Sequence, residues 1–140
     1  MTDILPHRPP FLFIDEIVSA TDTFILAKRK IRADEFFFQG HYPGNPVLPG
    51  VLLCEAMFQA GAALLALKLP EMPEGIPAVT RVNNVKFKKL VRPGDELQIE
   101  AQFLEKIANA YLFKGKIRVG ETIAAACDFT CTVVDEKDKL

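Results

Sequence analysis

The stretch VLLCEAMFQAGAALLALK, residues 51–68, decides the fold, because it is the one convincingly helical segment of the sequence. It follows Pro49-Gly50, contains no proline and is rich in Leu, Ala and Met. Its apolar residues occupy nearly the whole circumference of a helix, which indicates burial on most sides. Glu55 and Gln59 interrupt the apolar run and make it a poor membrane span. We therefore expect one core helix wrapped by the rest of the chain.

The remaining sequence is dominated by the alternating pattern of β-strands. Leu97 and Ile99, for example, alternate with Gln98 and Glu100, as in a strand with one buried face. Turn-forming residues such as Pro93-Gly94 separate the segments. The pattern predicts strands at residues 11–18, 24–31, 82–91, 97–103, 111–119 and 123–134, a loop at 69–77 and a solvated tail at 135–140.

One buried helix and one strongly curved, mostly antiparallel sheet make an α+β domain of the hotdog architecture. A chain of 140 residues is long enough for one such core and too short for two, so residues 1–140 are predicted to form a single domain. A single sheet of this kind leaves an edge and part of the helix uncovered. We expect the chain to cover them by pairing through its edge strand as a homo-oligomer.

Composition and cysteine usage limit the possible environments and partners. A formal net charge of −1 offers no overall attraction to nucleic acid. Residues 1–10 lack the pattern of a secretory signal, and three cysteines, an odd number, suit a reducing compartment. These features predict a cytoplasmic protein with no membrane or nucleic-acid partner. Neither histidine has a second ligand at metal-binding spacing, so we expect no metal ion or other cofactor.

The segment before and within the predicted helix combines three chemical features. His41 lies in a loop stiffened by three prolines between residues 43 and 49. Gly50 and Val51 open the helix, where free N–H groups and the helix dipole favour an anion. Glu55 and Gln59 lie one turn apart on the same face. A base, a potential acid and an anion hole suit proton removal beside a thioester carbonyl with expulsion of a β-hydroxyl group.

Each feature also has an ordinary structural interpretation. A lone loop histidine is more often a hydrogen-bonding residue than a catalyst, and a helix that starts at Gly50 is unremarkable by itself. Glu55 is harder to explain structurally, because burying a carboxylate costs several kcal/mol unless it is paired or protonated. Such a cost usually marks a functional residue. The combination is more informative than any one of its members.

The motifs resemble those of the β-hydroxyacyl-acyl-carrier-protein dehydratases of the FabZ type. The resemblance is carried by His41-Tyr42-Pro43, by PVLPGVL at residues 46–52, by Glu55-Ala56-Met57 and by Gln59, and it extends to LPHRPPFL at residues 5–12. It covers nearly the whole chain. It implies the reversible dehydration of a 3-hydroxyacyl chain carried on acyl carrier protein, as part of fatty acid biosynthesis.

The resemblance also implies roles for individual residues. His41 would remove the proton at C2, and Glu55 would handle the departing hydroxyl, with Gln59 in support. The backbone N–H groups of Gly50 and Val51 would bind the thioester oxygen. The histidine and glutamate of one site would come from different subunits of a homodimer, with three dimers assembled into a hexamer.

Arg81 departs from the family pattern, where a small residue is usual. Strand residues an even number apart share a face, which predicts that Arg81 lies with Val85 and Phe87 on the apolar face. An arginine in the substrate channel would take volume from the acyl chain. We therefore expect a preference for short chains.

A basic cluster offers a surface for an acidic carrier protein. It comprises Lys86, Lys88, Lys89 and Arg92, and a merely solvated strand face is an equally good interpretation. Two other functions stay open. A hotdog acyl thioesterase would also use a helix carboxylate, although it does not need His41. A non-catalytic acyl-binding hotdog protein would explain Arg81 but not the intact pair of His41 and Glu55.

Overall fold

A single helix and six strands make up the computed structural model, which describes residues 4–68 and 76–134. The strands are β1 (Glu16–Ala20), β2 (Phe24–Lys30), β3 (Ile76–Phe87), β4 (Glu96–Ile107), β5 (Ala110–Val119) and β6 (Thr122–Val134), and the helix α1 (Gly50–Lys68) lies between β2 and β3. A short 3-10 turn, Phe36–Gln39, precedes the loop that carries His41.

The strands form one antiparallel sheet in the order β1-β2-β4-β5-β6-β3. The strand that follows the helix, β3, therefore lies at the edge of the sheet beside β6, far from β2. The other edge is the short strand β1. This arrangement confirms the predicted α+β hotdog architecture.

Helix α1 packs against strands β2 to β6 and forms the centre of the core. It is long and apolar enough to cross a membrane by length and composition, but in this fold its residues are mostly buried against the sheet. Gly61 allows the close approach, because a Cβ atom there would lie 2.8 Å from the ring of Phe129. The helix predicted at residues 51–68 is confirmed, with its first residue at Gly50.

The predicted bounds of three strands are wrong, and for β4 the strand runs to Ile107 rather than residue 103. The first strand begins at Glu16 rather than residue 11, because the backbone of Phe11 and Phe13 bonds to the side chain of Gln59 instead of to a strand. Strand β3 begins at Ile76, inside the predicted loop, and ends at Phe87. Pro77 is tolerated there because an edge strand need not donate every N–H to a neighbour. Residues 69–75 and 135–140 lie outside the described residues.

Candidate active site

Glu55 lies in the second turn of α1 with its carboxyl group partly buried. Burial raises the pKa of this carboxyl above its ordinary value, while the hydrogen bond from Gln59 and the charge of His7 act in the opposite direction. The net shift favours the protonated acid. A carboxyl group of this kind can give a proton to a leaving hydroxyl group.

Gln59 holds Glu55 in place from one turn further along the helix. Its amide is fully buried, and its Oε1 accepts a hydrogen bond of 2.8 Å from the backbone N–H of Phe13. Its Nε2 donates to the backbone carbonyl of Phe11 at 2.9 Å and to Oε2 of Glu55 at 3.1 Å. Gln59 thus ties the N-terminal segment, the helix and the carboxyl group together, which agrees with its predicted supporting position.

His41 presents one ring nitrogen for proton transfer. Its Nδ1 lies 2.8 Å from the backbone carbonyl of Val47. A carbonyl oxygen can only accept, so in the neutral ring Nδ1 carries the hydrogen and Nε2 keeps its lone pair. The ring of Tyr42 lies edge-on to the imidazole, with 4.7 Å between their centroids. The imidazole of His41 is therefore oriented from within its own loop, with Nε2 able to accept a proton.

The first turn of α1 supplies backbone donors. The N–H of Leu52 already bonds to the carbonyl of Pro49 at 3.0 Å, which leaves the N–H groups of Gly50 and Val51 as first-turn donors. The ring of Phe87 from β3 lies against Gly50, and a Cβ atom at Gly50 would lie 3.1 Å from that ring. A larger residue at position 50 would require the ring of Phe87 to shift by a few tenths of an ångström.

Within one chain, the histidine that contacts Glu55 is His7. Its Nε2 lies 3.7 Å from Oε2 of Glu55, and no hydrogen bond or ion pair joins His41 to Glu55 among the described residues. His7 belongs to the LPHRPPFL motif at residues 5–12, but the sequence pattern predicts no role for it. Its spacing from Glu55 carries no signal, because 48 residues separate the two and only the tertiary fold brings them together.

The predicted face of Arg81 is wrong. In β3, Val82 pairs with the buried Phe129, and Phe87 pairs with the buried Ala125. Val82 and Phe87 therefore both face the helix, although they are five positions apart and a regular strand would place them on opposite faces. The cause is a bulge between Asn83 and Lys86. Arg81 itself pairs with Thr130 and is exposed on the other face of the sheet. Arg81 therefore does not share the apolar face of β3 with Phe87, and its position gives no support to a narrowed substrate channel or to a preference for short chains.

The basic cluster is exposed along the end of β3 and the turn that follows it. Its four members, Lys86, Lys88, Lys89 and Arg92, are exposed in the chain. Arg92 also donates to the side-chain oxygen of Asn45 at 2.8 Å, which links the cluster to the loop that carries His41. Phe87 and Leu90 add exposed apolar surface to the same segment.

Comparison with known proteins adds independent information. A family model described as a FabA-like domain matches residues 5–127. The chain is 39% identical over 137 residues to the 3-hydroxyacyl-[acyl-carrier-protein] dehydratase FabZ of Caulobacter vibrioides (strain NA1000 / CB15N), covering 96% of this chain and 86% of that protein. It is 40% identical over 125 residues to the FabZ dehydratase of Petrotoga mobilis, covering 89% of this chain and 88% of that protein.

The dehydratase heterocomplex ApeI:P from Xenorhabdus doucetiae shares the fold. The TM-score is 0.81 at 17% identity, and the match covers 95% of this chain and 90% of that chain.

Proposed function

The chain belongs to the FabA-like family, and from that premise we infer that it is a 3-hydroxyacyl-[acyl-carrier-protein] dehydratase of the FabZ type, acting in fatty acid biosynthesis. The reaction removes water reversibly from a 3-hydroxyacyl thioester and yields the trans-2-enoyl thioester. The observation that carries the mechanism is the partly buried carboxyl of Glu55, whose pKa burial raises. It lies one turn beyond a helix start that offers free N–H groups.

Each group has one step in the proposed mechanism. Nε2 of His41 accepts the proton from C2, and the electron pair of the C–H bond becomes the C2=C3 double bond. The C3–O bond breaks, and Glu55 gives its proton to the departing hydroxyl, so that water leaves. The N–H groups of Gly50 and Val51 stabilise the negative charge that develops on the thioester oxygen. Hydration runs through the same steps in reverse.

We propose that each site is shared between two chains of a homodimer. Within one chain Glu55 forms an ion-pair contact with His7 and none with His41 among the described residues, which supports a base supplied by His41 of a second chain. The edge strand β3 exposes apolar side chains, namely Val82, Val85 and Phe87, where a second β3 would continue the sheet. Phe87 also lies against Gly50, so pairing at this edge would reach the helix start. Three such dimers would form the hexamer.

The substrate would be delivered by acyl carrier protein, whose acidic surface suits the basic cluster. The cluster borders the loop of His41 through the bond from Arg92 to Asn45, so a docked carrier would lie close to the proposed base. Charges at the rim of such a contact act mainly on the rate of encounter. We place this single-domain enzyme in the cytoplasm, where its three buried free cysteines suit a reducing environment. No cofactor enters the mechanism.

The direct test uses crotonyl thioester, because the reaction is reversible. Purified protein should remove the enoyl absorbance without releasing free thiol, and the product should be the 3-hydroxybutyryl thioester by mass. Release of free thiol at the same rate would identify a thioesterase. Unchanged absorbance with both the crotonyl coenzyme A and the crotonyl carrier-protein substrates would favour a non-catalytic acyl-binding protein.

A further inference from the structure

We propose that His7 is a positioning residue of the active site, which together with Gln59 holds Oε2 of Glu55 so that Oε1 faces the departing hydroxyl group. This inference rests on the proposed function, in which Glu55 is the proton donor. Nothing in the sequence pattern assigns a role to His7. The structure places it beside the carboxyl group from a different part of the chain.

Two side chains converge on the same oxygen of Glu55. Nε2 of Gln59 donates to Oε2 at 3.1 Å, and Nε2 of His7 lies 3.7 Å from that same atom. The first contact is a hydrogen bond, and the second lies in the range of an ion pair. A carboxyl group held by one oxygen cannot rotate freely, so the other oxygen keeps one direction. Oε1 has no hydrogen-bond or ion-pair partner among the described residues, which leaves it for the departing hydroxyl group in our proposal.

The segment that carries His7 is itself anchored. Arg8 donates through Nη1 to the backbone carbonyls of Leu5 at 2.6 Å and His7 at 2.7 Å. Further along, the backbone of Phe11 and Phe13 is bound by Gln59, the residue that also bonds to Glu55. His7 and Glu55 therefore belong to one hydrogen-bonded unit, although 48 residues separate them in sequence.

The other ring nitrogen of His7 is a second, independent observation. Nδ1 is buried and has no hydrogen-bond partner among the described residues. Burying an unpartnered polar atom costs free energy, so the ring is held in this orientation by something other than Nδ1. The ring of His7 faces that of Phe11, with 6.4 Å between their centroids, and the polar contact that it makes is that of Nε2 with Glu55. The ring of His7 is thus oriented with Nε2 toward the carboxyl group, while Nδ1 is left without a hydrogen bond.

The ionisable groups around the carboxyl define the expected pH behaviour. Glu55 interacts with His7, Cys54 and Cys131. Burial raises the pKa of the Cys131 thiol to about 12, so this thiol stays neutral near pH 7. The hydrogen bond with Cys127 lowers the pKa of the Cys54 thiol, so Cys54 needs its own control.

A donor or a positive charge at His7 favours the ionised carboxylate. Removal of His7 should therefore raise the pKa of Glu55 further. Arg8, the charged neighbour of His7 in the chain, stays in place in the variants below.

The experiment compares His7→Phe with His7→Gln in the full-length protein. Phenylalanine keeps the ring volume but removes both nitrogens, whereas glutamine keeps an N–H donor near the position of Nε2. We expect His7→Phe to lower kcat about two- to fivefold with little change in KM, the scale of one partly exposed ion pair. His7→Gln should recover most of that loss. Thermal melting shows whether both variants are folded.

A spectroscopic readout separates positioning from packing. The infrared carbonyl band of protonated Glu55, assigned by its absence in Glu55→Gln, is titrated with pH in each variant. Its midpoint should move to higher pH in His7→Phe and less in His7→Gln, and the shift should persist in a Cys54→Ala background. An unmoved midpoint, or a loss of kcat that glutamine does not recover, would overturn the role of His7.

The variants distinguish an error in the proposed function from an error in the role of His7. Wild-type turnover in Glu55→Gln would contradict the catalytic role of Glu55 and with it the proposed mechanism. An inactive Glu55→Gln beside a His7→Phe variant with wild-type kcat and an unmoved midpoint would contradict only the inference about His7.

Discussion

Glu55 and His41 have separate means of support in one chain. The carboxyl group is held by Gln59 from the same helix, and the imidazole is held by the carbonyl of Val47 from its own loop. Neither contact depends on the other residue. Substitution of either one should therefore leave the orientation of its partner intact, and the effects can be attributed to chemistry.

The first prediction concerns this catalytic pair. His41→Ala and Glu55→Gln should each lower kcat by about 10²- to 10⁴-fold, the usual contribution of one acid or base group. In the proposed mechanism the two residues act as one unit, so the double variant should be little worse than either single one. Steady-state kinetics with a crotonyl thioester measure this. Additive losses in the double variant would mean that the two groups act independently.

The second prediction concerns the cost of burying the carboxyl group. Burial raises the pKa of Glu55, so the folded state binds the proton more tightly than the unfolded state does. The folded protein therefore loses stability as pH rises through and beyond the ordinary pKa of a glutamate. Glu55→Gln removes this loss and should melt a few degrees higher than wild type at neutral pH, with the difference vanishing in acid. A lower melting temperature for Glu55→Gln at neutral pH would contradict this reading.

At the scale of elements, the contact between α1 and the sheet depends on a missing side chain. A Cβ atom on Gly61 would lie 2.8 Å from the ring of Phe129. That ring is stacked on Phe113, with the ring planes 11° apart, and has little room to move. The spacing between the helix and the sheet is therefore set by glycine at this point.

The third prediction follows from this contact. Gly61→Ala should destabilise the protein by about 1–3 kcal/mol through overpacking, although alanine favours a helix more than glycine does. Gly40→Ala is the matched control, because a Cβ atom at Gly40 meets no atom within 4 Å, and it should change stability little. Urea denaturation of both variants measures the difference. A stabilised Gly61→Ala would show that α1 lies further from β6.

At the scale of the whole molecule, β3 leaves an open edge with exposed apolar side chains. The fourth prediction is that two inactive variants complement each other, because in the proposed dimer each active site is shared between two chains. Mixing His41→Ala with Glu55→Gln should restore part of the activity, since a mixed dimer keeps one intact site. Sedimentation should show at least a dimer. No recovery despite demonstrated exchange of chains would place both residues of a site on one chain.

The fifth prediction concerns delivery of the substrate. Replacing Lys86, Lys88 and Lys89 with Glu should lower kcat/KM for carrier-protein substrates and spare short coenzyme A thioesters. Arg92 is left unchanged, because it also bonds to Asn45 beside the loop of His41. The wild-type rate on the carrier substrate should fall with added salt. Equal losses on both substrates would show that the lysines are a solvated face.

The amino-acid sequence by itself determined the features that depend on neighbouring residues. The period of apolar side chains located α1 and most strands, since helices and strands repeat over a few residues. The motif between residues 40 and 61 likewise brought His41, Gly50 and Glu55 into one hypothesis, because a loop and the helix that follows it share a short stretch of chain.

Only the tertiary structure decided the features that depend on distant residues. The alternation of side chains along a strand predicts which residues share a face only where the strand is regular. The bulge between Asn83 and Lys86 arises from the pairing of β3 with β6, which the sequence of β3 does not show. For this reason the predicted face of Arg81 is wrong. Pro77 could stand in a strand only because β3 lies at the edge of the sheet. The contact of His7 with Glu55 spans 48 residues. No local pattern encodes such a contact, because it arises where the whole chain packs around one helix.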